Sequence, residues 1–205
     1  MAQIAHSIVV ALAVCFVLEL PAAAQVSASE AIAQLRQGGY VIAMRHASSP
    51  RMPPDASSAD PDNVKREREL DAVGRSTANA MGDALRALDI PIGAVFTSPT
   101  FRALQTVRFL GVENARAVDE LGDGGNSMAP DAEGKRSAWL RSKAAEAPTP
   151  GTNTLLVTHL PNLVGAFGDD VRDMGDGEAL ILEPRGGRAT IVARIKIEQW
   201  PEAAR

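Results

Sequence analysis

Two uninterrupted apolar segments, Tyr40-Val41-Ile42-Ala43-Met44 and Thr154-Leu155-Leu156-Val157-Thr158, constrain this chain more than any other feature of it. A strand with one face in water alternates apolar and polar residues. A run without alternation needs cover on both faces, as in a parallel sheet between two layers of helices. The rest of the pattern agrees. A capping box at Ser27-Ala28-Ser29-Glu30 opens a helix over 27–37, ended by Gly38-Gly39. Helical spacing of apolar and small residues runs over 70–88, and further helices are predicted over 100–110, 131–147 and 163–167. Short strands fall at 94–97 and 115–118, and two late strands at 178–183 and 189–197 are joined through Pro184-Arg185-Gly186-Gly187-Arg188. Strands alternating with helices predict a three-layer αβα sandwich with a mainly parallel central sheet, to which the late hairpin adds antiparallel strands.

The chain has 205 residues, 45% of them hydrophobic and 22% charged, which suits one domain with a sizeable core. Its first 24 residues read separately: an apolar run over 8–20, then Pro21 and the small-residue site Ala22-Ala23-Ala24. We expect a signal peptide over 1–24, export to the periplasm or medium, and one domain over 25–205; an uncleaved anchor is the other reading. The run is shorter than the roughly 20 residues of a membrane span, so no stable span is expected after cleavage. Cleavage removes Cys15 and His6 and leaves His46 and His159 as the histidines of the mature chain. Disulfides and thiolate metal sites are then excluded, and neither a metal nor a cofactor is called for. A formal charge of -4 offers no field for nucleic acid, so an anionic ligand has to be held by a few placed cations.

Each of the two apolar strands ends in one of these histidines. Ligands of such sheets bind beyond the carboxyl ends of the strands, so one rim collects His46 and His159. Arg45 precedes the first histidine. Arg102 follows Ser98-Pro99 in a first helical turn, where the helix amino terminus adds partial positive charge for an anion; Arg108 lies further along with no evident role. Guanidinium forks beside an imidazole suit phosphoryl transfer, which asks a protein mainly for positioning and positive charge. Ser48 and Ser49 are ordinary turn material, and the acidic stretch Asp169, Asp170, Asp173 and Asp176 reads as solvated surface.

Taken in order, Arg45-His46-Ala47, Arg68-Glu69-Leu70-Asp71-Ala72-Val73-Gly74, Thr97-Ser98-Pro99-Thr100-Phe101-Arg102-Ala103-Leu104-Gln105-Thr106 and Val157-Thr158-His159 resemble the signature segments of the histidine phosphatase superfamily, which includes the phosphoglycerate mutases. The resemblance implies a phosphoglycerate mutase-like fold. It also implies a phosphorylated nucleophile at His46, a phosphate pocket of Arg45, Arg102 and His159, and hydrolysis of a phosphomonoester. Ala47 stands where glycine is usual and implies an ordinary backbone conformation there. The proton donor is expected at Glu120, with Asp119 its competitor and the absence of any carboxylate donor the third reading. The expected ligand is a small phosphorylated substrate or a phosphorylated surface glycan. A phosphomutase and a noncatalytic binder of phosphorylated ligands are the alternatives.

Overall fold

The computed structural model describes residues 25–123 and 132–205, with the side chains of 132 and 133 left aside. The expected signal peptide over 1–24 and most of the Gly-rich stretch after Glu120 lie outside these residues. No helix among the described residues is long and apolar enough to cross a membrane.

The chain runs α1 (Ala28–Leu35), β1 (Val41–Arg45), α2 (Ala72–Ala87), β2 (Ile92–Thr97), α3 (Phe101–Leu110), β3 (Arg116–Ala117), a 3-10 turn (Asp119–Leu121), α4 (Ala132–Ala144), β4 (Asn153–Thr158), α5 (Leu160–Phe167), a second 3-10 turn (Asp169–Val171), β5 (Ala179–Arg185), β6 (Arg188–Ile195) and α6 (Gln199–Ala203). The sheet order is β3-β2-β4-β1-β5-β6. β1 to β4 run parallel, and β5 and β6 join antiparallel beside β1.

Alternate residues of each central strand bury into opposite layers, because successive side chains of a strand point to opposite faces. Ile42, Met44, Leu155, Val157, Ala179 and Ile181 pack under α1, α2, α3 and α6. Val41, Ala43, Leu156, Leu180 and Leu182 pack under α4 and α5. The expected three-layer αβα sandwich with a mainly parallel sheet is what the chain forms. The Ser27 capping box is present with both of its hydrogen bonds. α5 starts three residues earlier than its apolar spacing indicates, directly at Leu160, with Pro161 in its first turn. α6 was not expected at all; it is short, yet it brings the fully buried Trp200 onto the core.

Register sets the height of the functional rim. Arg45 pairs with Thr158 across β1 and β4, so His46 and His159 each follow at the same level on adjacent strands. The His46 amide donates to the Thr158 carbonyl at 3.0 Å, and the Ser98 amide after β2 donates to the Val157 carbonyl at 2.9 Å.

The helices over this rim are fixed by close backbone approach. A Cβ on Gly82 of α2 would lie 2.0 Å from the Leu110 carbonyl oxygen of α3. Gly82→Ala is therefore expected to force α2 and α3 apart and to lower unfolding free energy by about 1–3 kcal/mol in urea titration. A variant as stable as the native chain would show that this contact does not hold α3 in place.

Candidate active site

Residues from three strand ends and one helix meet at the carboxyl rim. The His46 and His159 rings lie edge to face with centroids 5.1 Å apart. Arg102, one residue into α3, reaches between them: its Nε donates to His46 Nε2 at 3.2 Å and its Nη2 to His159 Nδ1 at 3.2 Å. A guanidinium only donates, so each of these ring nitrogens carries a lone pair. The protons are then placed by elimination. His46 Nδ1–H donates to the Ala47 carbonyl at 2.8 Å, and His159 Nε2–H donates to Ser98 Oγ at 2.8 Å. Ser98 Oγ is held in turn by the Thr100 amide and hydroxyl.

Both imidazoles are neutral for physical reasons. Burial of His46, to 4% exposure, pushes its pKa down to about 3, and the Arg102, Arg45 and Arg68 charges add to the effect against the Ala47 hydrogen bond. Burial likewise holds His159 well below the usual histidine range, followed by the neighbouring His46 and Arg102. His46 thus offers an unprotonated Nε2 facing a guanidinium.

The spacing of the segment after Ser98 now has a structural reason. Arg102 faces the rim, Gln105 Oε1 accepts the Leu70 amide at 2.7 Å, and Thr106 Oγ1 accepts the Ala47 amide at 3.1 Å. One helical face therefore supplies a guanidinium and pins both the chain leaving His46 and the chain entering α2.

Arg45, Arg102, His46 and His159 all gather at this rim; Glu120 does not join them. It is half-buried in the 3-10 turn, and no hydrogen bond or ion pair connects it to those four residues. Asp119 is exposed in the same turn. In this part of the chain the carboxylate that reaches the rim is Asp123, which ion-pairs with Arg102 Nη2. Its approach is set from β4 and α5: Thr158 Oγ1 donates to the Leu121 carbonyl at 2.8 Å, and Asn162 Nδ2 donates to the Gly122 carbonyl at 2.6 Å. Sequence spacing carried no signal for this, since Asp123 stands among glycines.

Three further expectations need revision. Asp176 is not merely solvated surface, because its Oδ1 lies 2.6 Å from Arg45 Nη2. Arg108 does have partners, Asp60 and Asp62 at 3.5 and 3.7 Å, in a largely exposed setting. The α3 amino terminus is also partly spoken for: Glu67 Oε2 accepts the Phe101 amide at 2.9 Å, so a carboxylate of the chain already occupies that end of the helix. Ala47 is absent from the positive-φ residues, as expected.

Arg68 is a third guanidinium of the site that sequence reading left within a motif. It is anchored by the Ser49 and Pro50 carbonyls, just beyond His46, and no carboxylate pairs with it among the described residues. Burial and then the Arg102 charge lower its pKa, while Asp123 and Asp176 act the other way.

No family model and no curated protein matches the sequence. Solved structures do match in fold. A protein histidine phosphatase SixA complexed with tungstate is 21% identical, over 78% of this chain and 98% of that one, with a TM-score of 0.56. A phosphoserine phosphatase variant from Entamoeba histolytica in complex with phosphoserine is 12% identical, over 78% and 98%, with a TM-score of 0.52. This chain shares the fold of those phosphatases, the phosphoglycerate mutase-like fold expected of it.

Burial of neutral His46 has a measurable consequence. Below pH 6.5 an unfolded histidine takes up a proton that the folded site refuses down to about pH 3, so stability falls as pH falls through that window. His46→Asn removes the group and is expected to flatten the decline by about one proton in the pH dependence of urea unfolding. Parallel curves for the two proteins would place the acid sensitivity elsewhere.

Proposed function

We propose that this chain is a phosphohydrolase of the histidine phosphatase superfamily that acts through a phosphohistidine on His46. The observation that carries the reading is the Arg102 guanidinium bridging the lone pairs of His46 Nε2 and His159 Nδ1. An unprotonated imidazole nitrogen is a nucleophile, and the donors around it match the equatorial oxygens of a phosphoryl group. Arg45, Arg68 and Arg102 supply three guanidinium forks, and His159 Nε2–H is locked on Ser98, which keeps its ring oriented.

In this reading the phosphoryl oxygens replace the Asp123 carboxylate on Arg102. The Arg102 Nε–H turns from His46 Nε2 to a phosphoryl oxygen, the freed lone pair of Nε2 attacks phosphorus, the P–N bond forms, and the bond from phosphorus to the ester oxygen breaks. The leaving oxygen takes a proton from a carboxyl group, and Asp123 fits this role better than Glu120 because it is the one in contact with the pocket. A carboxyl beside a phosphate dianion favours its protonated form, which suits it to donate. Water then attacks the phosphohistidine, Asp123 accepts its proton, and inorganic phosphate leaves with His46 neutral again.

The ligand class remains a small phosphorylated substrate or a phosphorylated surface glycan. The apolar run over 8–20 and the Ala22-Ala23-Ala24 site support action outside the cytoplasm. Overlap of the fold with phosphatases that process phosphoamino acids makes phosphohistidine and phosphoserine compounds the first esters and amides to try.

The test is a panel of phosphoesters with release of phosphate and formation of isomers both measured. Wild type is expected to release phosphate and to show an acid-labile phosphoryl group on rapid quenching. His46→Ala should lose at least ~10³-fold in turnover, with no trapped intermediate. Asp123→Asn should cost ~10²–10⁴-fold on alkyl esters and far less on p-nitrophenyl phosphate, whose leaving group needs no proton; Glu120→Gln should behave as wild type. Turnover undiminished in His46→Ala would falsify the mechanism.

A further inference from the structure

Neither Glu178 nor Arg194 bonds to a histidine, yet the segment they hold is the one that clasps Arg45 and His46. The Arg45 amide donates to the Glu178 carbonyl at 3.0 Å, and the Gly177 amide donates to the His46 carbonyl at 2.9 Å. The Arg45 side chain ends on the same segment: Nη1 donates to the Met174 carbonyl at 2.8 Å and Nη2 meets Asp176. Backbone and guanidinium of Arg45 are therefore both set by residues 174–178.

The shape of that segment is set by one buried carboxylate. Glu178 Oε2 accepts the Gly175 amide at 2.8 Å, which closes the turn on itself, and Oε1 accepts Arg194 Nε from β6 at 2.8 Å. The Glu178 side chain is only 7% exposed, so Arg194 is its neutralising partner as well as its hydrogen-bond donor. Arg194 also holds the preceding turn, through the Asp170 carbonyl at 3.1 Å and Asp173 Oδ1 at 2.8 Å. Gly177 sits in this turn at φ +73°, a conformation that favours glycine. Glu178 and the second hydrogen bond of Arg194 both favour the charged guanidinium, which outweighs its partial burial.

We propose that the Glu178–Arg194 ion pair is a positioning pair for the reaction: it fixes the segment 174–178 that aims the Arg45 guanidinium at the phosphoryl group and anchors the His46 backbone. The role rests on the phosphatase reading above. The pair touches no reacting atom. Its effect passes through Arg45, whose fork binds a phosphate only in one orientation.

The full chain with inorganic phosphate as the probe provides the test, using calorimetry for Kd, p-nitrophenyl phosphate for kcat and KM, and a thermal melt for folding. A misaimed Arg45 weakens phosphate itself, so Glu178→Gln and Arg194→Met should raise KM and phosphate Kd together by ~10–100-fold at temperatures where both remain folded. Arg194→Lys keeps a cation against Glu178, preserves the fold, and should fall between these and wild type. Asp173→Ala cuts only the exposed arm of Arg194 and should bind phosphate as wild type does. A merely structural pair would lower kcat by loss of folded enzyme and leave KM and phosphate Kd unmoved. Wild-type phosphate affinity in Arg194→Lys, and in whichever of the other two remain folded, overturns the proposal alone. A wild-type chain that neither binds phosphate nor hydrolyses any ester overturns the phosphatase reading and this role with it.

Discussion

In-register parallel pairing of β1 with β4 is the constraint on which the site depends, because it places two residues far apart in the sequence at one height. Arg45 opposite Thr158 makes His46 and His159 neighbours, each the next residue on its strand. A slip of one residue would turn Ile42 and Met44 from one core to the other and carry one histidine out of the rim. The apolar runs that bury both faces of β1 and β4 therefore do more than stabilise the sheet. They select the register, and the register makes the site.

Once the imidazoles are adjacent and buried, a cation between them would be costly unless something answered its charge. Arg102 is answered on three sides, by two ring lone pairs and by Asp123, and Arg45 is answered by Asp176 and the Met174 carbonyl. An unpaired buried ion costs several kcal/mol, so Asp123 helps Arg102 to sit in the protein interior, while Arg45 with Asp176 stays part-exposed. In the phosphohydrolase reading proposed above, a dianionic phosphoryl group would take the place of the Asp123 carboxylate on Arg102 and leave that carboxyl group beside the ester oxygen.

The strands and the pair of histidines were legible in the sequence because both are local: unbroken apolar runs and the residue that ends each run. Arg102 was legible for a similar reason, since a helix starting at Phe101 puts its next residue at the sheet edge. Asp123 was not, because its place is decided by Thr158 and Asn162 hydrogen-bonding to the Leu121 and Gly122 carbonyls from another part of the chain. Spacing from Arg102 pointed to Glu120 instead, three residues earlier and inside the 3-10 turn. Arg68 was hidden in the same way, its direction being fixed by two backbone carbonyls of a loop with no periodicity. α6 gave no periodic signal because it is only one turn long, although Trp200 anchors it by burial.

The residues that follow the long loop explain why the cations must be side chains. Glu67 accepts the first amide of α3, Glu69 accepts the Asp60 amide, Leu70 donates to Gln105, and Asp71 caps α2 while accepting from Ser48. This strap ties the loop after His46 to both helices above the rim. Its cost is the α3 amino terminus, whose positive end is answered by Glu67 rather than left for a ligand. In the reading proposed above, a phosphate at this rim would meet guanidinium forks rather than a free helix end. A guanidinium fork meets two oxygens in only one orientation, so phosphate binding in this reading would hinge on what holds each arginine in place: Arg102 on two imidazoles, Arg68 on two carbonyls, and Arg45 on the turn closed by Glu178.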